Sequence, residues 1–225
     1  MGVHMSYSIA IDGPAGAGKS TIAKLVAKEL GLIYVDTGAM YRAMGLYFLR
    51  TSVDVENLSE VQAACESADI TIEYRHGEQI VVLNGEEVNT LIRTEEVGKM
   101  ASNVAKLKEV REKLVELQRK LAKTTGVIMD GRDIGTHVLP NANLKIYLTA
   151  SSATRANRRY QELTDKGVNC NLDEIEADII ARDHQDMNRE ITPLRQAEDA
   201  VLVDSSNMTI DEVVEKIIEL SRLPM

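Results

Sequence analysis

Apolar positions along the chain follow two rhythms. Short unbroken runs mark buried strands, and apolar residues recurring every three or four positions mark helices. Runs of the first kind occur at Ser8–Ile11, Leu32–Val35, Gly126–Met129, Leu144–Leu148 and Ala200–Val203. Between them, Ile22, Leu25, Val26 and Leu30 share a helical face that Gly31 stops. Thr37 is placed to cap a second helix running to about Arg50. Helical periodicity returns at Ala153–Lys166, Leu172–Asn188 and Asp211–Arg222. Strand, glycine-rich turn, helix, strand is the opening of an α/β fold, and the five runs predict a five-stranded parallel sheet flanked by helices.

The middle breaks this alternation. Ile70–Tyr74 and Gln79–Leu83 are β-rich runs, and Asn84-Gly85 is a tight-turn signal leading to Glu86-Glu87-Val88. They predict a small antiparallel insert. A long helical region follows, roughly Glu95–Lys123, with Val97, Met100, Val104, Leu107, Val110, Leu114, Leu117 and Leu121 on a packing stripe. It reads as one helix or two, since no proline fixes a break.

Composition narrows the function classes. Apolar residues make up 44% of the 225 residues, aromatics only 4%, and Trp is absent, so aliphatic residues and Met must fill the core. A net charge of −9 argues against a protein that wraps nucleic acid. Two cysteines without a CxxC spacing point to reduced thiols in the cytoplasm. No apolar run approaches the ~20 residues that span a bilayer, and no signal-peptide pattern opens the chain. Met1-Gly2-Val3-His4-Met5 reads as an expression remnant ahead of the first strand. A monomer is expected, because no exposed apolar stripe stands out. The four histidines are scattered without metal-ligand spacing.

The strongest chemical signal follows the first strand. Gly13-Pro14-Ala15-Gly16-Ala17-Gly18-Lys19-Ser20 matches GxxxxGK[ST], and Thr21 continues it into a helix. Glycines let successive amides turn toward phosphate oxygens, and the helix N-terminus adds positive potential. Lys19 suits the β- and γ-phosphates of ATP, and the Ser20 hydroxyl suits Mg²⁺. No Asn-Lys pair exists, so a guanine-reading NKxD is absent.

Three further segments carry charge to strand and helix ends. Asp36-Thr37-Gly38-Ala39-Met40-Tyr41-Arg42 follows the second strand, where open α/β sheets bind ligands, and offers a hydroxyl and a guanidinium to an acceptor phosphate. Asp130-Gly131-Arg132-Asp133 ends another core strand, where a carboxylate steers Mg²⁺ through water. Arg155, Arg158 and Arg159 share one helix face, suited to charge spreading over a transferring phosphoryl group. Arg182, Asp186 and Arg189 share another, with Asp183 beside them.

Together these segments resemble the bacterial cytidylate kinases over about Tyr7–Arg222. The most specific pieces are IDGPAGAGKST, DTGAMYR, DGRDIGT and RDHQDMNRE with the following TPL. The resemblance implies a P-loop kinase fold and transfer of the ATP γ-phosphoryl group to CMP and dCMP. It implies that Arg42, Arg132 and Arg189 hold the acceptor phosphate with Thr37, that Ser102, Arg111 and Asp133 read the cytosine edge, and that Arg182 and Asp186 hold the ribose. Arg155, Arg158 and Arg159 fall in its lid arm, so Lys19, Asp130, Arg132, Arg155 and Arg159 form the expected catalytic set. The implied division is an ATP-binding core (6–36, 96–152 and 191–225), a monophosphate-binding region with the β insert (37–95), and a lid with its following helix (153–190). A carboxylate accepting from the cytosine amino group, beside a guanidinium donating to N3 and O2, meets mismatched partners on uracil. Each buried mismatch costs about 1–3 kcal/mol, so UMP is expected to be a poor acceptor. Other acceptors on the same scaffold, such as UMP, AMP or shikimate, and a nucleotide switch without an acceptor are the competing readings.

Overall fold

A computed structural model describes residues 7–223, so the reading of Met1–Met5 lies outside the described residues. The first half runs β1 (Ser8–Asp12), α1 (Lys19–Leu30), β2 (Ile33–Asp36), α2 (Thr37–Thr51), α3 (Leu58–Ser67), β3 (Ile70–Arg75), β4 (Glu78–Leu83) and β5 (Glu86–Glu87). The second half runs α4 (Glu95–Val104), α5 (Lys108–Thr124), β6 (Val127–Gly131), β7 (Leu144–Thr149), α6 (Ser152–Asp165), α7 (Leu172–Asn188), β8 (Val201–Asp204) and α8 (Ile210–Arg222).

The central sheet is parallel throughout, in the order β2-β6-β1-β7-β8. Both faces are covered, which explains the near-continuous apolar runs. Ala10, Val35, Val127 and Met129 face one core shared with α2, α4, α5 and the insert. Ile9, Ile11, Ile128, Ile146 and Leu148 face a second core closed by α1 and α8. Register brings Asp36 beside Asp130 and Asp12 beside Gly131, so the charged strand ends gather at one edge.

The insert is a three-stranded antiparallel sheet, β3-β4-β5. Gln79 ties it to the core by donating to the Asp36 carbonyl at 3.1 Å and accepting from the Asp36 amide at 2.8 Å.

Several local expectations change. Leu25 is 38% exposed, because α1 presents Lys19, Ile22, Ala23, Val26 and Ala27 inward and Leu25 falls off that arc. Asp36, not Thr37, caps α2 by accepting from the Ala39 amide at 2.9 Å, which frees the Thr37 hydroxyl to donate to the Asp130 carbonyl at 2.6 Å. The helix α3 was not expected. It buries only Val61 and Ala64, too weak a stripe to stand out. The long central helix is two helices broken at Ala105–Leu107, and the carbonyl of Ala105 accepts from Arg111 Nη1 at 3.2 Å. Asp130-Gly131-Arg132-Asp133 runs into a π-helical turn, Ile134–Val138, a rare element that often marks functional sites.

Candidate active site

A cleft of about 710 Å³ opens along the carboxyl edge of the sheet. Ala15 to Thr21 line one side of it. Gly16 and Gly18 hold positive φ, which lets the loop curl with its amides inward. Gly13 lies behind the loop: a Cβ there would stand 1.9 Å from the Leu148 carbonyl oxygen, so only glycine lets β1 end so close to β7. Pro14 contributes its carbonyl, which accepts from Lys19 Nζ at 2.7 Å. Neither Gly13 nor Pro14 lines the cleft.

Lys19 is buried at the cleft floor. Dehydration pulls its ammonium down to about 7, and Arg132 adds to the effect against the opposing pull of Asp130, Asp12 and Asp186. Ser20 Oγ donates to Asp130 Oδ2 at 3.0 Å, and the Tyr34 hydroxyl donates to Asp130 Oδ1 at 2.8 Å. Burial, then the neighbouring Asp36 charge, pushes the Asp130 carboxyl up. The adjacent oxygens of Ser20 and Asp130 suit a hard divalent cation, and such a cation relieves the buried carboxylate. Among the described residues no group of three His, Cys, Asp or Glu could hold a metal ion.

Facing this loop is a pocket of paired charges. Arg42 lies 3.5 Å from Asp36, and Arg93 approaches the same carboxylate oxygen at 3.4 Å from the insert side. Arg132 Nε donates to Asp186 Oδ2 at 2.7 Å. Arg111 pairs with Asp133 through Nη2, and Arg189 Nη2 reaches the other oxygen of Asp133 at 3.4 Å. The Arg111 guanidinium also stacks 5.6 Å from the Tyr41 ring centre. Burial pushes the Asp186 carboxyl up, but Arg132, Arg182 and Arg189 outweigh it and leave it below the ordinary carboxylate range. Burial draws Arg42 and Arg189 down, with a smaller push from Arg93 on the first and from Arg111 on the second. Ser102 lies on the cleft wall with its hydroxyl donating to the Gly98 carbonyl at 3.3 Å, and Arg182 stands at the mouth.

The three arginines of α6 line the same cleft but have different anchors. Arg155 is buried against the loop and donates to the Ala15 and Ala150 carbonyls. Arg158 donates to the Ser205 carbonyl at 2.7 Å. Arg159 pairs with Glu162 near solvent at 2.8 Å.

Several contributors escape sequence reasoning. Tyr34 sits inside an apolar run, and Arg93 has no motif around it. Asp12 ends β1 and accepts from the Ile134 and Gly135 amides, both at 2.7 Å, which pins the π-helical turn that follows Asp133. Burial pushes Asp12 up to about 6, partly offset by those two amides. The far end of the cleft is lined by Ser205, Met208, Ile210 and Val213. Gly13-to-Ser20 spacing pointed only to the phosphates, so nothing in it signalled this apolar end.

A phosphate loop opening a parallel sheet, with a guanidinium pocket across the same cleft, defines a P-loop kinase scaffold. The family model for cytidylate kinase matches residues 9–223. A cytidylate kinase of Caldicellulosiruptor saccharolyticus is 54% identical over 213 residues, covering 95% of this chain and 94% of the relative. A cytidylate kinase of Lactobacillus gasseri is 49% identical over 219 residues, covering 97% and 95%. An uncharacterized protein from Eubacterium ventriosum shares the fold alone, with a TM-score of 0.56 at 11% identity over 97% of this chain and all of that one. The chain belongs to the cytidylate kinase family.

Proposed function

We propose that this protein transfers the γ-phosphoryl group of ATP to CMP, and also to dCMP, giving ADP and CDP or dCDP. The observation that carries the reading is the facing of two anion pockets in one cleft, one made of loop amides and one of guanidiniums. The family membership supports CMP as acceptor and disfavours UMP, AMP, shikimate or a switch without an acceptor.

The donor phosphates lie on the Ala15–Thr21 amides with Lys19 between them, and the adenine takes the apolar end at Met208, Ile210 and Val213, beside Arg158. Ser20 and Asp130 would hold Mg²⁺, which would offset negative charge on the phosphates. The acceptor phosphate exchanges the carboxylate partners of Arg42, Arg132 and Arg189 for its own oxygens, helped by Thr37. Asp133, held by Arg111, accepts from the cytosine amino group with Ser102 nearby. Arg182 and Asp186 hold the ribose. Arg155 and Arg159 stabilise charge that spreads over the transferring group, and no covalent enzyme intermediate is needed. Pre-pairing of the pocket explains how so many buried cations coexist before the anion arrives.

The division into a core (6–36, 96–152 and 191–225), a monophosphate region (37–95) and a lid (153–190) follows this chemistry. The separate antiparallel sheet and the α6–α7 pair support it. Cytoplasmic placement is supported by the unpaired Cys65 and Cys170 together with the substrates. No helix among the described residues is long and apolar enough to cross a membrane. A monomer is supported by the scatter of the exposed Leu58, Ile180, Leu202 and Leu223 over separate elements.

The test is product formation from CMP, dCMP, UMP and AMP with Mg-ATP. CMP and dCMP are expected to be turned over at least tenfold more efficiently than UMP. AMP or UMP as the preferred acceptor would refute the assignment.

A further inference from the structure

Asp183 is buried on α7 and has no part in the reading above, yet it holds the phosphate loop. Its Oδ1 accepts from the Ala15 amide at 3.2 Å, and its Oδ2 lies 2.7 Å from Arg155 Nη2. Arg155 in turn donates to the Ala15 carbonyl at 2.8 Å and, through Nε, to the Ala150 carbonyl at 2.9 Å. One residue of the loop is therefore gripped at both its N–H and its C=O by a single buried ion pair. A carboxylate on a loop amide is the same chemistry that such a loop offers to a phosphate oxygen.

The helix that supplies this carboxylate also faces the acceptor pocket. Arg182 precedes Asp183, and Asp186 follows it by three residues and pairs with Arg132 at 2.7 Å. One rigid helix thus touches the donor loop and the acceptor pocket.

We infer that Asp183 is a positioning residue that reports the terminal phosphate of the donor to the acceptor pocket, an inference that rests on the phosphoryl-transfer reading above. A triphosphate brings more negative charge to the Ala15 side of the loop than a diphosphate does. That charge repels the Asp183 carboxylate and competes with it for the Ala15 amide and the Arg155 guanidinium. Release of Asp183 unties α7 from the loop and lets Arg182 and Asp186 settle on the acceptor. A diphosphate leaves the tie in place. The acceptor pocket therefore distinguishes a charged donor from a spent one, and the coupling is reciprocal.

The experiment titrates CMP calorimetrically into the full-length protein with saturating adenylyl imidodiphosphate or with saturating ADP. The wild-type protein is expected to bind CMP at least about fivefold more tightly with the triphosphate analogue. Asp183→Asn should bring the two affinities within about twofold of each other. Loosening of the fold alone weakens CMP equally with both nucleotides and leaves the ratio in place. A wild-type ratio near one, or an Asp183→Asn protein that keeps the wild-type ratio, overturns the inference. If Asp183→Asn does not fold, Arg155→Lys decides, because a single ammonium cannot bridge Asp183 and the Ala15 carbonyl as the guanidinium does. Its retention of the wild-type ratio overturns the inference equally. The ratio is read without turnover, so a wild-type protein that fails to phosphorylate CMP strikes the proposed function separately.

Discussion

The two halves of the cleft bind anions by opposite means. The donor half presents main-chain amides of one continuous segment, Ala15–Thr21, with the buried Lys19 among them and the Arg155–Asp183 pair holding Ala15. The acceptor half is built from side chains contributed by α2, α5, the end of β6 and α7, and its arginines are held by Asp36, Asp133 and Asp186. Amides carry no net charge and tolerate burial without partners of opposite sign. Guanidiniums do not, so the acceptor half carries its own carboxylates as counterions. Loss of Lys19 is therefore expected to leave the fold in place, whereas loss of a carboxylate from the acceptor half is expected to destabilise it.

The sharpest way to break this contrast is Asp133→Ala. Arg111 and Asp133 are both buried, and the substitution leaves the Arg111 guanidinium without its carboxylate and strips Arg189 of one partner. Orphaning one member of a buried pair costs about 3–5 kcal/mol, which should appear as a lowered urea midpoint, with CMP affinity falling as well. A variant as stable as the wild type would mean that water reaches this pair and that the two halves do not differ in kind.

Lys19→Ala probes the donor half and should show the reverse profile. Turnover is expected to fall about 10²–10³-fold, the effect of removing one preorganised donor to a charged transition state. Stability should fall less than in Asp133→Ala, because the hydrogen bond to the Pro14 carbonyl and the attraction to Asp130 and Asp12 are lost but no guanidinium is left without its carboxylate. Near-normal turnover, or a collapse of the fold, would each contradict the assignment of Lys19 to chemistry rather than structure.

The same contrast explains what was legible in the sequence. The phosphate loop is read from consecutive residues, because amide cradles need a local backbone path and glycines mark that path. The strands were legible because burial on both faces leaves unbroken apolar runs. The arginine pocket is different in kind. Arg111, Asp133 and Arg189 meet across three elements, and spacing along the chain carries no trace of that meeting; only the family resemblance brought them together. Tyr34 is hidden because an apolar strand accepts a tyrosine without breaking its pattern. The cap on α2 was misplaced by one residue because Asp36 and Thr37 both have capping side chains, and only the register of β2 beside β6 decides which one turns back to the helix. The break between α4 and α5 left no mark, since it is held from outside by Arg111 donating to the Ala105 carbonyl.

A smaller effect is expected from Tyr34→Phe, which removes one donor from Asp130 and leaves the Ser20 contact in place. The loss of a hydrogen bond to a charged group is worth about 1.5–3 kcal/mol, with solvent unable to replace it at this buried site. Asp130 is then less well oriented, so the Mg²⁺ concentration giving half-maximal turnover should rise several-fold, with CMP affinity unchanged. A fall in CMP affinity with no change in Mg²⁺ dependence would place Tyr34 in the acceptor half instead.

The finest test separates the halves by their protons. Dehydration, reinforced by Arg132, holds Lys19 at about 7, so its ammonium is mostly neutral at pH 8 and mostly charged at pH 6. A phosphate placed beside it favours the charged form and moves it back toward its ordinary value. Binding of ADP at pH 8 should therefore take up protons as Lys19 becomes charged, and much less at pH 6. The arginines stay charged throughout, so CMP binding at pH 8 should draw almost no proton from the acceptor half. Calorimetry in buffers of different ionisation enthalpy reads both numbers, and Lys19→Gln should abolish the uptake with ADP alone. Equal uptake for the two ligands would mean that the titrating group lies in neither half, and absence of uptake with ADP would mean that Lys19 is charged before the phosphates arrive.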